Sequence, residues 1–115
     1  MATLETFPNP NPNRSYTITH INPEFTSVCP KTGLPDFATM ELEYIPGETC
    51  LELKALKYYY LDFRNKGIFY EAVTNHILDE LIAACNPRWM RVTGRFAARG
   101  GISSVIVCET GPKPV

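Results

Sequence analysis

Two residues of one proline-rich stretch have the types and spacing of a nucleophile and a proton-transfer group. Cys29 and Asp36 stand seven residues apart within residues 23–37 (PEFTSVCPKTGLPDF), which also contain Lys31. A thiol near a cation can ionise and attack an electrophilic carbon, and a nearby carboxyl group can move the proton. The same types also fit an inert loop cysteine and an Asx-type turn residue that closes the loop. Residue types alone leave both interpretations open.

The other three cysteines, Cys50, Cys85 and Cys108, fall in segments of apolar pattern and are predicted to be small core residues. No two cysteines form a C-x-x-C pair, and no histidine stands at metal-ligand spacing from any of them. We therefore expect no metal site, and we expect reduced thiols rather than disulfides.

A second group of candidates lies in residues 52–60 (ELKALKYYY). Lys54 and Lys57 are three residues apart, so on a helix they share a face and their ammonium groups could hold phosphates. A solvated lysine face is the alternative. A helix cannot bury three consecutive tyrosines in one core, so at least one of Tyr58, Tyr59 and Tyr60 is expected to meet a ligand or another subunit.

Two further positions have both a structural and a functional interpretation. Glu71, beside Tyr70, borders the apolar stripe of a predicted helix, where the helix dipole favours a carboxylate. It could equally accept hydrogen bonds from a bound heterocycle. Arg99 and the following Gly100-Gly101 pair could offer donors to a phosphate or simply form a hairpin turn. No G-x-G-x-x-G follows a strand, so no Rossmann unit is present.

Hydrophobic periodicity predicts how these residues are positioned. Residues 1–14, rich in proline and asparagine, are predicted to be a flexible arm, and residues 15–115 a single domain, with a loop over residues 23–35. The predicted order is strand, strand, helix, helix, strand, strand, over residues 15–22, 37–45, 55–66, 69–84, 88–97 and 102–109. This order favours an α+β fold with a four-stranded antiparallel sheet and both helices on one face. The other face would carry the charged residues Glu41, Glu43, Arg91 and Arg95. That face would either meet water or line a barrel of several subunits.

Length and charge exclude several classes of protein. The chain has 115 residues and a net charge of −1, with no basic run, so direct binding to nucleic acid is not expected. No apolar stretch approaches the roughly 20 residues that cross a bilayer, and the N-terminus has no signal-peptide pattern. A cytoplasmic location is therefore expected.

Four segments together resemble one family. These are FTSVCPKTGLPDF at 25–37, ELKALKYYYLDFRNKG at 52–67, FYE at 69–71 and RGGI at 99–102. They resemble the NADPH-dependent 7-cyano-7-deazaguanine reductases, the QueF family of queuosine biosynthesis (a tRNA modification), in its short single-module branch. The resemblance extends over about residues 24–102.

The resemblance implies a fold, an assembly and a reaction. The fold is the tunnelling fold, in which the sheets of several subunits join into barrels. In this branch two pentameric rings form a homo-oligomeric decamer, with active sites between subunits. The reaction reduces the nitrile of 7-cyano-7-deazaguanine to an aminomethyl group with two NADPH.

The resemblance also assigns roles to individual residues. Cys29 matches the nucleophile that forms a covalent thioimide, and Asp36 matches the general acid. Glu71 matches the substrate-binding carboxylate; Tyr70 stands where some members have histidine, which leaves an imidazole role there in doubt. The cofactor-binding positions are Glu52, Lys54, Lys57 and Tyr58, with Arg99 and Gly100 as weaker assignments.

Two rival functions share this fold. One is a relative that transfers ammonia onto the nitrile of a deazaguanine within transfer RNA; such proteins lack the lysine motif that this sequence retains. The other is a non-catalytic purine- or pterin-binding module, against which the set of Cys29, Asp36 and Glu71 argues. Neither rival would oxidise NADPH.

Overall fold

The computed structural model describes residues 3–114 and has the predicted α+β architecture. A four-stranded antiparallel sheet has the order β2-β3-β5-β6, and a small antiparallel pair joins β1 to β4. The elements in chain order are β1 (Thr6–Pro8), β2 (Ile18–Val28), β3 (Pro35–Ile45), β4 (Thr49–Leu51), α1 (Leu53–Leu61), α2 (Tyr70–Cys85), β5 (Trp89–Arg99) and β6 (Ile102–Glu109). No helix within residues 3–114 is long and apolar enough to span a membrane.

Both helices cover one face of the sheet, as the sequence predicted. Alternation along β3 and β5 directs one set of side chains toward the helices, where they are buried. The core that they share with α1 and α2 includes Met40, Leu42, Tyr44, Met90, Val92, Phe96, Leu56, Tyr59, Val73, Ile77 and Leu81. Cys50, Cys85 and Cys108 are buried free thiols, which confirms their prediction as core residues.

The opposite face of the sheet is charged, also as predicted. Arg95 Nε lies 2.9 Å from a carboxylate oxygen of Glu41, and Arg91 Nη1 lies 3.3 Å from one of Glu43. The cross-strand register places Arg91 directly opposite Glu43, whereas Arg95 lies opposite Thr39 and reaches Glu41 diagonally. Opposite charges on facing strands stabilise the sheet modestly, and they compensate one another within the chain.

The prediction of a loop over residues 23–35 is wrong for its first half, because β2 continues to Val28 and the connecting turn is short. Pro23 lacks a backbone donor, which argued against a strand. β2 is an edge strand, however, where proline is tolerated, and the register shifts between Asn22 and Phe25, which marks a bulge. Phe25 is then 2% exposed against α1.

Part of the segment predicted to be a flexible arm forms a short strand. Within the described part of residues 1–14, Thr6–Pro8 pairs with Thr49–Leu51. Asn9 is buried; its Nδ2 donates to the Gly47 carbonyl at 2.7 Å, and its Oδ1 accepts from the Tyr16 hydroxyl at 2.6 Å. The asparagine therefore holds this segment to the domain by tertiary hydrogen bonds that local composition does not reveal. Residues 1, 2 and 115 lie outside the described part, and the domain limits of 1–14 and 15–115 stay a prediction.

The segment between the helices differs from prediction as well. Helix α1 ends at Leu61 instead of about residue 66, and the chain continues in tight turns, with Arg64 N donating to Leu61 O and Lys66 N to Phe63 O. The segment then runs beside the end of β2. There Val28 N donates to Lys66 O at 3.0 Å and Ile68 N to Val28 O at 3.1 Å. These bonds fix the position of the start of α2.

One close approach inside the sheet requires glycine. A Cβ atom on Gly94 would lie 2.7 Å from a ring carbon of Phe96 and 2.9 Å from Thr74 Oγ1. Contacts this short do not occur between real side chains. Only glycine at residue 94 therefore leaves room for the Phe96 ring.

Candidate active site

The ends of four elements converge on one small pocket. Cys29 follows β2, Asp36 is the second residue of β3, α2 begins at Tyr70, and Arg99 ends β5. The pocket has a volume of about 390 Å³ and is lined by Cys29, Asp36, Phe69, Tyr70, Glu71 and Arg99. The structure thus brings together all four residues that the sequence assigned to catalysis and substrate binding.

A compact turn presents Cys29 to this pocket. Cys29 N donates to the Leu34 carbonyl at 2.9 Å, and Gly33 N donates to the Cys29 carbonyl at 2.8 Å. Gly33 has a φ of 71°, a conformation that favours glycine. The two hydrogen bonds close residues 29–34 into a defined loop, so the thiol is held at a fixed place.

The same turn activates the thiol. The Thr32 hydroxyl and the backbone N–H groups of Thr32 and Lys31 hydrogen-bond the sulfur, and with a smaller contribution from Arg99 they lower the pKa of Cys29 to about 7, against the opposing effect of burial. Hydrogen bonds that favour the charged form lower a thiol pKa in this way. Cys29 therefore carries a substantial thiolate fraction at neutral pH, which a nucleophilic role needs.

Asp36 is a buried carboxyl group with polar partners. It is 3% exposed, and its Oδ1 accepts from Arg99 Nη1 at 2.6 Å and from the Tyr70 hydroxyl at 3.3 Å. A buried carboxylate is costly unless it is paired and hydrogen-bonded. The pairing therefore allows an ionised Asp36 at the floor of the pocket.

Tyr70 is positioned by stacking. Its ring lies on that of Phe96, with centroids 3.8 Å apart and planes 13° apart, and Phe96 in turn occupies the space beside Gly94. Burial, then the charge of Asp36, raises the pKa of Tyr70. The phenol consequently stays protonated near neutral pH and donates toward Asp36.

Glu71 lies in the first turn of α2 and is exposed. The N-cap residue Phe69 makes no side-chain capping bond, so a carboxylate here is favoured by the helix dipole. Its place on the pocket wall also leaves it open to a ligand. Both interpretations offered by the sequence therefore stay open at this position.

The lysine motif lies in a different place, along a groove between β2 and α1. The groove has a volume of about 880 Å³, and its walls include Lys54, Lys57, Tyr60 and Glu24. Glu52 also borders it, but its carboxylate caps α1, accepting from Lys54 N at 2.8 Å and Ala55 N at 2.9 Å. These two bonds lower the pKa of Glu52. Glu52 thus has a structural task in addition to any role toward a ligand.

The three tyrosines divide as the sequence indicated. Tyr59 and Tyr60 are buried, whereas Tyr58 is 48% exposed. The Tyr59 hydroxyl donates to Glu80 at 2.7 Å. That Tyr58 meets a ligand or a subunit stays a prediction.

Neither Arg99 nor Gly100 lines the groove of the lysine motif. Arg99 lies in the cysteine pocket, and Gly100, with φ 59°, belongs to the exposed β5–β6 hairpin turn. Sequence reasoning also missed Thr32 and Phe96. A hydroxyl three residues after the cysteine in a turn was the available signal for Thr32, while nothing local identified Phe96 as the partner of Tyr70.

Comparison with known proteins places this site in a family. The profile of the family described as QueF-like protein matches residues 35–114. The NADPH-dependent 7-cyano-7-deazaguanine reductase of Chloroherpeton thalassium is 63% identical over 92% of this chain and 91% of its own length. The enzyme of the same name from Anaeromyxobacter sp. (strain K) is 57% identical over 96% of this chain and 91% of its own.

A solved structure supports the fold. The archaeosine synthase QueF-Like, in its apo form, superposes with a TM-score of 0.75 at 26% identity, covering 87% of this chain and 96% of that one. The fold match confirms the α+β tunnelling fold predicted from the sequence. With the profile covering most of the chain and relatives this similar along nearly their whole length, the chain belongs to the QueF-like protein family.

Proposed function

We propose that this protein is an NADPH-dependent nitrile reductase that converts 7-cyano-7-deazaguanine to 7-aminomethyl-7-deazaguanine, a step of queuosine biosynthesis. The observation that carries the proposal is an activated thiol, Cys29, in one pocket with a buried, hydrogen-bonded carboxylate, Asp36. Relatives at 57% to 63% identity bear the name of that activity.

Cys29 and Asp36 supply the covalent step. The sulfur attacks the nitrile carbon and forms an S–C bond, giving a thioimide. The thiol proton passes to Asp36, and from Asp36 to the nitrile nitrogen as negative charge develops there. The S–H bond is broken, an N–H bond is formed, and Asp36 ends as it began. No proton has to come from solvent.

The reduction needs a hydride donor. NADPH supplies hydride when bound, and two are needed because nitrile-to-amine reduction takes four electrons. Each hydride addition also takes up one proton, which Asp36, in the same pocket as Cys29, can relay from solvent to the substrate nitrogen. The Tyr70 hydroxyl, 3.3 Å from Asp36, holds that carboxyl in place.

Glu71 and the aromatic wall are suited to the heterocycle. An exposed carboxylate accepts the paired N–H donors of a guanine-like edge in a bidentate way. Phe69, 52% exposed, and Tyr70 provide apolar surface against which a flat ring can pack. A cavity of about 390 Å³ also lies within the size range of small-molecule sites.

The groove of Lys54 and Lys57 is suited to the cofactor. Two ammonium groups on one helix face can neutralise phosphates, and about 880 Å³ is room for a dinucleotide. The Tyr60 hydroxyl on the groove wall is buried with no partner among the described residues, so a ligand group could satisfy it. Tyr58 and Glu52 complete the proposed cofactor set.

The open edges of the sheet support the proposal of an oligomeric barrel. β2 and β6 are the edge strands of the four-stranded sheet, and both expose apolar side chains, Ile21 at 61%, Val105 at 53% and Val107 at 55%. Pairing of such edges between subunits would satisfy their backbone groups. We propose that sheets join in this way into two stacked pentamers in the cytoplasm, with the active sites at subunit boundaries.

The test is NADPH oxidation in the presence of 7-cyano-7-deazaguanine. We expect two NADPH consumed per nitrile, and a protein–substrate adduct visible by mass spectrometry when NADPH is omitted. Cys29→Ala should lose both, whereas Cys108→Ala, which removes a thiol outside the pocket, should keep both. An adduct that survives in Cys29→Ala would contradict the proposed nucleophile.

One alternative has a specific observation in its favour, the similarity to the archaeosine synthase QueF-Like. That protein is only 26% identical to this chain, compared with 63% for the Chloroherpeton reductase. If the substrate forms the adduct but no NADPH is oxidised, the reductase proposal fails and a synthase-type reaction at the nitrile takes its place.

A further inference from the structure

The Arg99 guanidinium contacts Asp36 and the Thr32 hydroxyl of the turn that holds Cys29. Its Nη1 lies 2.6 Å from Asp36 Oδ1 and its Nη2 lies 3.5 Å from Thr32 Oγ1. Arg99 also contributes, as the smallest of the hydrogen-bonding effects, to the lowered pKa of Cys29. One cation therefore joins the proposed proton carrier to the turn that holds the proposed nucleophile, although 63 residues separate Arg99 from Asp36 in the chain.

The surroundings of Arg99 indicate that it acts on Cys29 and Asp36. Asp36 is 3% exposed, so its charge is poorly hydrated and depends on a partner. Lys54 and Lys57, the other cations assigned to function, line a separate groove. A planar guanidinium can also direct donors to two acceptors at once, which an ammonium does less well.

We propose that Arg99 is a positioning residue of the Cys29–Asp36 pair: it holds the two groups together and stabilises the one negative charge that they share before any cofactor binds. This role rests on the proposed function, and it differs from the phosphate-binding role that the sequence suggested for Arg99.

Arg99 determines which group carries the proton at the start of the reaction. With Arg99 in place, Asp36 begins as a carboxylate, which makes it first an acceptor of the thiol proton and then the donor to the nitrile nitrogen. Arg99 keeps its own protons throughout. Its task is to stabilise negative charge on whichever of the two groups carries it.

The test is the pH dependence of Cys29 alkylation by iodoacetamide without substrate or NADPH, followed by peptide mass spectrometry. In Arg99→Met we expect the midpoint to move to higher pH and the rate at pH 7 to fall about two- to fivefold, the effect of losing a partly exposed ion pair. Arg99→Lys should be intermediate. Arg95→Met, which removes an arginine of the same strand that pairs with Glu41, should match the wild type.

Steady-state kinetics provides the second readout. A positioning role predicts a lower kcat for Arg99→Met with little change in the KM for NADPH. An unchanged alkylation profile together with a raised KM for NADPH would overturn the proposal and return Arg99 to a phosphate site. Circular dichroism checks that each variant folds. Alkylation needs no turnover, so a failure of the reductase proposal would show separately, as absent NADPH oxidation by the wild type.

Discussion

Replacing Thr32 by valine tests whether the turn after Cys29 is what activates the thiol. The Thr32 hydroxyl is the largest of the contributions that lower the pKa of Cys29 to about 7. Valine keeps the shape and the backbone N–H groups but cannot donate from its side chain. The pKa should therefore rise toward the ordinary thiol value of about 8.5.

The magnitude follows from the titration curve. With a pKa of about 7, Cys29 is thiolate in about 9% of molecules at pH 6, about 50% at pH 7 and about 91% at pH 8. Loss of one hydrogen bond to a charged group should raise the midpoint by about one pH unit. The thiolate fraction at pH 7 then falls about fivefold. Above about pH 9 the valine variant should react at least as fast, because a more basic thiolate is the stronger nucleophile.

The assay is the iodoacetamide reaction of Cys29 from about pH 5 to pH 10, a span that brackets both midpoints. Thr32→Ser retains the hydroxyl and should restore the wild-type midpoint. Thr19→Val, at an exposed position of β2, controls for the loss of a threonine elsewhere. Coinciding curves for Thr32→Val and the wild type would show that the turn does not set the reactivity of the thiol.

Three further predictions address proton transfer, cofactor binding and packing. Asp36→Asn keeps the shape but cannot accept the thiol proton, so turnover should fall by about 10²-fold or more with substrate affinity within about threefold, measured by kinetics and calorimetry; equal turnover would make Asp36 a turn residue. Lys54→Ala and Lys57→Ala should each raise the KM for NADPH and leave kcat nearly unchanged, because phosphate contacts bind the ground state and transition state alike. Leu81→Ala should lower the free energy of unfolding by about 2–5 kcal/mol in urea titrations, whereas Leu53→Ala, at a side chain that is 60% exposed, should change it by less than about 0.5 kcal/mol.

Much of the fold was predictable because its periodic elements are amphipathic. Apolar residues recur at helical spacing along α2 and alternate with polar ones along β3 and β5. The observed bounds of these elements lie within a few residues of the predicted ones. The prediction at β2 was wrong because Pro23 was interpreted as part of a loop. A bulge on an edge strand absorbs Pro23, and whether a strand lies at an edge is a property of the whole sheet.

The candidate site was predictable as a set of residues but not as an arrangement. Cys29, Asp36, Tyr70 and Glu71 were recognised from local motifs and do share one pocket. Arg99 was assigned to the cofactor instead, because no local pattern reveals that the end of β5 reaches the start of β3. Contacts over such separations are decided by strand order.

The space beside Gly94 has a consequence for genetic screens. Any side chain at that position would displace the ring of Phe96, the ring on which Tyr70 stacks, and Tyr70 in turn bonds Asp36. A substitution there would be scored as an active-site lesion even though residue 94 borders neither pocket. Substitutions that reduce activity are therefore expected at packed residues inside the sheet as well as in the pocket. A map of such substitutions alone would overstate the number of residues that take part in the chemistry.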